Sequence, residues 1–307
     1  MSFLSSLFGS SNKIFTPFES EYFTSRAAHA QALQEKVSRG SAVGREIVEE
    51  FEGGMAKVVI GRNEDGLAAI KSLKTGNFDI ADADRLADEA AKLIGLDLLI
   101  HLVPDDISRE PGKDRCVIVL PYCAGGSLED RAAAGRLEFD EVVYYGFVLA
   151  AELARLHEVG ILHLDLKPAN VLLHKATKEN NFYRWRPVIS DYGLSLYRRP
   201  GKPVPSAGGT PFFMSPEQCL GMPVEAPTDV WGYAATLYYL ATKRSPLASV
   251  WPLSTAGSEK RVKPLIEFRS DCPPWFSNLV AHCLELNPKR RPGSFRKLLT
   301  EYLRQVR

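Results

Sequence analysis

The sequence predicts an α+β fold in two lobes: a small antiparallel sheet carrying one main helix, then a larger, mostly helical part. Three observations predict it. Short β-rich segments separated by turn residues fill the stretch from 45 to 122. Helical periodicity dominates from Phe139 to Arg304. The character changes at Ala124-Gly125-Gly126-Ser127, and 307 residues suit two compact lobes better than one small domain.

The elements follow in order. Residues 1–40 read as an N-terminal extension, a Ser- and Phe-rich start followed by an amphipathic helix from Glu19 to Arg39, with Phe23, Ala27, Ala30, Leu33 and Val37 on one stripe. Residues 41–123 read as the strand-rich lobe. "REIVEEF", "AKVVIGR" and "LAAIKSL" are strands, separated by Gly53-Gly54 and by the "NEDG" turn. A helix is expected over Ala81–Ile94, opened by Asp82 and Asp84 at its positive end. Strands near "LLIHLV" and "RCVIVLPY" complete the sheet. Residues 124–307 read as the helical lobe, with helices over Phe139–Glu158, Asp229–Lys243, Trp275–Leu286 and Ser294–Arg304.

Composition excludes several classes. Apolar residues make up 45% of the chain, enough for a large core. A net charge of +1 argues against a dedicated nucleic-acid binder. The five cysteines are far apart and odd in number, which fits reduced thiols in a cytoplasmic protein rather than disulfides or a zinc site. The start lacks the basic and long apolar regions of a signal peptide. "VVYYGFVLAAELARL" is too short and too charged to span a bilayer. The oligomeric state is left open.

The chemistry concentrates in "HLDLKPANVLL", residues 163–173. The Asp165 carboxylate can accept a hydroxyl proton. Lys167 can neutralise negative charge beside it, and the Asn170 amide oxygen is a hard ligand suited to Mg²⁺. "VISDYG" then delivers Asp191 from an apolar strand as a second oxygen ligand. Upstream, "LAAIK" places Lys71 at the end of an apolar strand, where it can pin an anion. Glu89, on the next helix, is its natural counter-ion. Together these residues point to phosphate chemistry.

In this order the motifs resemble the eukaryotic-type (Hanks-type) serine/threonine protein kinases, over roughly Ile47 to Leu303. The order is glycine loop, A-x-K lysine, helix glutamate, H-x-D-x-K-x-x-N, D-x-G and the A-P-E-like "SPEQ". "DVWGYA" resembles the buried helix that anchors the catalytic loop. "NPKRRP" resembles the element whose arginine pairs with the tripeptide glutamate, here Arg291 with Glu217. The "GGM" run is similar to bacterial members.

The resemblance implies ATP and Mg²⁺ as cofactors and a protein Ser/Thr hydroxyl as acceptor. It implies that Gly53 and Gly54 cover the phosphates and that Lys71, paired with Glu89, holds the α and β phosphates. Asp165 would orient the hydroxyl and take its proton, and Lys167 would stabilise the transferred group. Asn170 and Asp191 would hold the metal. Val58, Ala69, Leu120, Tyr122, Cys123 and Leu172 would line the adenine site. Thr210 would bond Asp165 and Lys167. His163 is expected to be structural, in a buried stack with Leu93, Tyr192 and Asp229, and Cys123 to be a small apolar residue.

Departures matter too. Phe51 and Ala56 stand where the glycine loop has glycine. They raise the alternative of a pseudokinase-like nucleotide-binding or scaffolding module. The segment His174–Pro187 is longer than the family shows, and is read as a solvated hairpin. Its alternative is a partner surface built from Lys175, Lys178, Arg184 and Arg186 beside Phe182, Tyr183 and Trp185. Tyr192 replaces the commoner phenylalanine.

Leu164 stands where regulated members carry the arginine that pairs with a phosphorylated activation loop, so loop phosphorylation is not expected to be the main switch. Ser206→Ala therefore keeps near wild-type activity in a phosphotransfer assay. A large loss in that variant, with phosphate found on Ser206 by mass spectrometry, contradicts the reading.

Overall fold

The computed structural model describes residues 41–42, 45–52, 56–64, 66–73, 106–109, 116–158, 160–175, 185–191, 196–197, 210–249 and 261–305. The helices expected over Glu19–Arg39 and Ala81–Ile94 and the "LLIHLV" strand lie outside these residues, as do Gly53, Gly54, Glu89, Leu93 and Tyr192. The chain divides into two units. Among the described residues, one holds those up to Gly126 with Leu173–Lys175, and the other holds Ser127–Leu172 and those from Trp185 onward.

The smaller unit is an antiparallel sheet. Its strands are β1 (Ser41–Ala42), β2 (Arg45–Glu52), β3 (Ala56–Asn63), β4 (Gly66–Leu73), β5 (Asp106–Arg109) and β6 (Cys116–Pro121), in spatial order β1-β2-β3-β4-β6-β5. β2, β3, β4 and β6 fall where the apolar segments put them. The polar run "DISR" of β5 carries no such pattern, and only its pairing to β6 makes it a strand. Successive side chains alternate between faces. Val59, Ala68 and Ile70 therefore pack on one side with Ile47, and Val48 and Ile60 on the other with Leu67, Ala69 and Tyr122. A bulge between Ile47 and Glu49 shifts the register of β2 against β3. Gly61 is required where it sits, because a Cβ there would meet Ile70 and Arg45 at 2.8 and 2.9 Å.

The larger unit is built on α2 (Phe139–Glu158), whose bounds match the sequence pattern. It is preceded by α1 (Leu128–Ala133), opened by a capping box in which Ser127 and Asp130 satisfy each other's backbone N–H. Then come β7 (Ile161–Leu162), the first two residues of β8 (Val171–Lys175), β9 (Trp185–Ile189), and β10 (Leu196–Tyr197) paired with β7. The helices α3 (Pro216–Cys219), α4 (Ala226–Thr242), α5 (Pro274–Cys283) and α6 (Phe295–Gln305) complete it. α4 is apolar nearly all round and is buried nearly all round. Trp185 belongs to this core, 4% exposed, so it is not part of a surface for a partner. Phe182, Tyr183 and Arg184 lie outside the described residues.

The buried ions of this core are partnered. Arg131 donates to both oxygens of buried Glu141 at 2.9 and 2.7 Å, and the Tyr145 hydroxyl donates to Glu141 at 2.7 Å. Arg269 caps Leu137 and Ala241 carbonyls, chelates Asp271 and lies over the Phe139 ring. Where α2, α4 and α6 converge, Tyr233 donates to the Gly146 carbonyl at 3.0 Å and shares a 2.8 Å hydrogen bond with Tyr302.

Gly146 marks that convergence. A Cβ there would strike the Tyr302 hydroxyl, which Tyr233 pins and which Phe147, Trp275 and Phe276 box in through ring contacts. Gly146→Ala therefore destabilises the protein by about 1–3 kcal/mol, despite alanine's better helix propensity, as denaturant unfolding will read.

Candidate active site

The loop from His163 to Lys167 leaves β7 buried and returns through the 3-10 turn Pro168–Asn170 into β8. Its backbone is held from below by Asp229, in the first turn of α4. The carboxylate accepts from the His163 N–H at 2.8 Å, the Leu164 N–H at 2.7 Å and His157 Nε2 at 2.7 Å. Burial pushes the Asp229 carboxyl up, but the bonds to His157, the nearby His163 and the Leu164 amide overcome this and hold it below the usual carboxylate range. Held in this way, Leu164 adopts a left-handed backbone with φ 66°.

His163 is neutral and structural. The Asp165 N–H donates to its Nδ1 at 3.3 Å, so Nε2 carries the proton and donates to the Ser190 carbonyl at 3.3 Å. Burial lowers its pKa, which favours the neutral ring. Of the stack expected around it, Asp229 is present.

Asp165 itself is ringed by donors. Lys167 Nζ donates to Oδ2 at 2.8 Å and Asn170 Nδ2 to Oδ2 at 3.1 Å. The Thr210 N–H and hydroxyl donate to Oδ1 at 3.0 and 3.1 Å, and Lys167 also reaches Thr210 Oγ1 at 2.5 Å. Thr210 thus bonds both partners that its motif implied. Asp165 keeps 12% side-chain exposure. It is a carboxylate fixed in direction yet reachable by a hydroxyl.

Ser190, the residue before Asp191, is tied to Asn170, 20 positions earlier in the sequence. Ser190 donates through its N–H at 2.8 Å and its hydroxyl at 3.0 Å to the Asn170 carbonyl, and Asp191 follows, exposed, with φ 60°. The Asn170 Nδ2 is taken up by Asp165, also through the Asp165 carbonyl at 2.8 Å, so the amide turns its oxygen elsewhere. An amide oxygen and a carboxylate are hard donors that suit Mg²⁺, an ion that takes few protein ligands and keeps waters and phosphate oxygens for the rest. Among the described residues no cluster of three His, Cys, Asp or Glu forms an all-protein metal cage.

In the smaller unit the register sets Lys71 opposite Val58 and Ile118, and Ala69 opposite Ile60 and Leu120. Residues 58, 69, 71 and 120 therefore share one face of the pleat by position. Cys123 is buried, and burial pushes its thiol up to about 12, so it is inert and packs as a small apolar residue. Phe51 continues β2 opposite Val58, half exposed, and is not among the left-handed residues.

Comparison with known proteins agrees with this architecture. The protein kinase domain matches residues 51–303. The chain belongs to the protein kinase family. It is 30% identical over 246 residues to a probable serine/threonine-protein kinase of Dictyostelium discoideum, covering 78% of this chain and 14% of that protein. It is 29% identical over 259 residues to a mitogen-activated protein kinase kinase kinase of Drosophila melanogaster, covering 81% and 21%. A probable serine/threonine-protein kinase of Clostridium acetobutylicum is 28% identical over 193 residues, covering 60% and 28%. The chain thus spans less than a third of the length of each of these three relatives.

Within this kinase domain the "SPEQ" element is bound in as its motif implied. Arg291 Nη1 and Nη2 form a two-pronged pair with Glu217 at 2.7 and 2.8 Å, and Thr228 adds a hydroxyl at 2.9 Å. Burial raises the Glu217 pKa, but the guanidinium outweighs it and holds the carboxyl below its ordinary value. Two partners escaped sequence reasoning. His157 reads as an ordinary residue at the end of α2, with no local signal of a bond to Asp229, 72 positions on. Gln218 follows the motif glutamate, and its amide donates to the Leu164 carbonyl at 2.8 Å.

The Glu217–Arg291 pair yields a stability test. Arg291→Leu leaves a buried carboxylate without its countercharge and costs about 3–5 kcal/mol at neutral pH. The Glu217 pKa then rises. Protonation relieves the penalty, so the gap to wild type narrows as pH falls toward about 4, as urea unfolding at several pH values will read.

Proposed function

We propose that this chain is an ATP- and Mg²⁺-dependent serine/threonine protein kinase that transfers the γ-phosphoryl group to protein hydroxyls. The single observation that carries the reading is the arrangement at Asp165. Its carboxylate is oriented by Lys167, Asn170 and Thr210 and keeps a partly exposed edge. Asp165 orients that hydroxyl and accepts its proton as the oxygen–phosphorus bond forms and the bond to the ADP oxygen breaks. Lys167, already beside the carboxylate, is placed to neutralise charge spreading over the phosphoryl oxygens.

Asn170 and Asp191 would hold Mg²⁺, which when bound screens the phosphate charges. Lys71, paired with Glu89, is assigned to the α and β phosphates, and Gly53 and Gly54 to covering them. Val58, Ala69, Leu120, Tyr122, Cys123 and Leu172 are assigned to the adenine. The lysine at 167 and the run from Thr210 to Glu217 support a serine or threonine acceptor in a protein. The serine/threonine kinase names of the relatives point the same way. A scaffold without transfer, the alternative raised by Phe51 and Ala56, gains no support from the larger unit, where Asp165, Lys167, Asn170 and Asp191 are all present. No helix among the described residues is long and apolar enough to cross a membrane. Free thiols at Cys123, Cys219, Cys272 and Cys283 favour a reducing, cytoplasmic setting.

Incubation with labelled ATP, Mg²⁺ and a generic Ser/Thr protein substrate tests the reading. Transfer is expected, lost by about 10²- to 10⁴-fold in Asp165→Asn and abolished in Lys71→Met. Nucleotide binding without transfer would return the chain to the scaffold class, and transfer to small metabolites alone would change the substrate class.

A further inference from the structure

Leu164 is the residue before Asp165, and it is one of three non-glycine residues with a left-handed backbone among those described. Such a conformation costs a residue with a Cβ about 1–2 kcal/mol. Both of its backbone polar groups are tied. Its N–H donates to Asp229 Oδ1 at 2.7 Å, and its carbonyl accepts from Gln218 Nε2 at 2.8 Å. The second tie has a particular consequence. The Leu164 carbonyl and the Asp165 N–H belong to one rigid peptide plane. A donor that fixes the carbonyl therefore fixes the direction in which the chain enters Asp165.

Gln218 is itself well anchored. Its Oε1 accepts from the Ser215 N–H at 3.0 Å and the Ser215 hydroxyl at 3.2 Å, while its own N–H donates back to Ser215 Oγ at 3.3 Å. This capping box opens α3, and the Gln218 side chain is 6% exposed. One end of the amide thus caps the helix that Glu217 and Arg291 bolt to the core, and the other end grips the catalytic loop.

We propose that Gln218 is a positioning residue for phosphoryl transfer, clamping the 164–165 peptide so that the Asp165 carboxylate faces the acceptor hydroxyl. The role rests on the kinase reading above. Glutamine suits the task because it is amphoteric: its oxygen serves the cap and its NH₂ serves the loop. Methionine would fill the volume and serve neither. Glutamate would keep the oxygen for the cap but, when ionised, could not donate.

The test separates the clamp from the cap. Gln218→Met and Gln218→Glu are compared with Ser215→Ala, which removes the capping hydroxyl but leaves Gln218 its donor to Leu164. Steady-state transfer is measured beside amide hydrogen exchange of the segment spanning 161–166. Both Gln218 variants are expected to lose about tenfold in kcat at unchanged KM for ATP. Their 161–166 amides are expected to exchange about 2- to 10-fold faster. Ser215→Ala is expected to keep kcat and the slow exchange. Wild-type kcat in Gln218→Glu, or an equal loss in Ser215→Ala, overturns the proposal. If Gln218→Met does not fold, Gln218→Glu alone decides. If the wild-type protein transfers no phosphate, the kinase reading fails, while unchanged exchange in the Gln218 variants still refutes the clamp.

Discussion

A buried carboxylate at the start of α4 is the constraint on which the active-site loop depends. Burying an unpaired charge is expensive, and Asp229 is 1% exposed. Its cost is met by donors that all come from the chain it must hold: two consecutive backbone N–H groups of the loop, and a histidine at the end of α2. The dependence runs both ways. The loop amides at 163 and 164 would otherwise be buried without partners, and the carboxylate would otherwise be buried without donors. Neither can move without orphaning the other, so the position of Asp165 is inherited from the packing of α4 against α2.

The other buried ions follow the same logic. Glu217 with Arg291, and Arg269 with the Leu137 and Ala241 carbonyls, tie distant stretches of chain at defined geometry, and Glu141 with Arg131 ties α2 to the neighbouring α1. Such pairs add little net stability over apolar packing, but they penalise any arrangement that separates them. The surface pairs differ. Arg296 with Glu158 and Arg136 with Asp271 are largely exposed, and solvent screens them to small effect. Charge thus holds register in the core and does little at the surface.

Much of this was legible in the sequence. The period of two in "AKVVIGR" and "LAAIKSL" and the stripe through Phe139–Glu158 are burial patterns, and burial is what a linear pattern records. The meeting of Asp165 with Lys167 and Thr210, and of Arg291 with Glu217, was legible because compact motifs carry these residues. His157 and Gln218 were not. Their partners lie 72 and 54 positions away, and nothing in their immediate neighbours ties a histidine or glutamine to a remote group. β5 was missed because it is four residues long, carries a polar run and lies at the edge of the sheet. Trp185 was misplaced because an aromatic beside arginines looks like a surface, whereas alternation along β9 sends it inward.

The left-handed residues show how the site uses strain. Lys243 ends α4, where that conformation is an ordinary way to stop a helix. Leu164 and Asp191 have no helix to end, and both belong to the candidate site. Glycine at 164 would take the same angles without strain, but it would also take many others, and the loop would lose definition in the unfolded and the folded chain alike. Leucine accepts the strain and gives a buried side chain in return, packed with Leu162 and Val224. The apolar anchor, the two backbone hydrogen bonds and the disfavoured φ together leave the peptide before Asp165 one arrangement. That arrangement is in place before any substrate arrives, which is where preorganised chemistry draws its advantage.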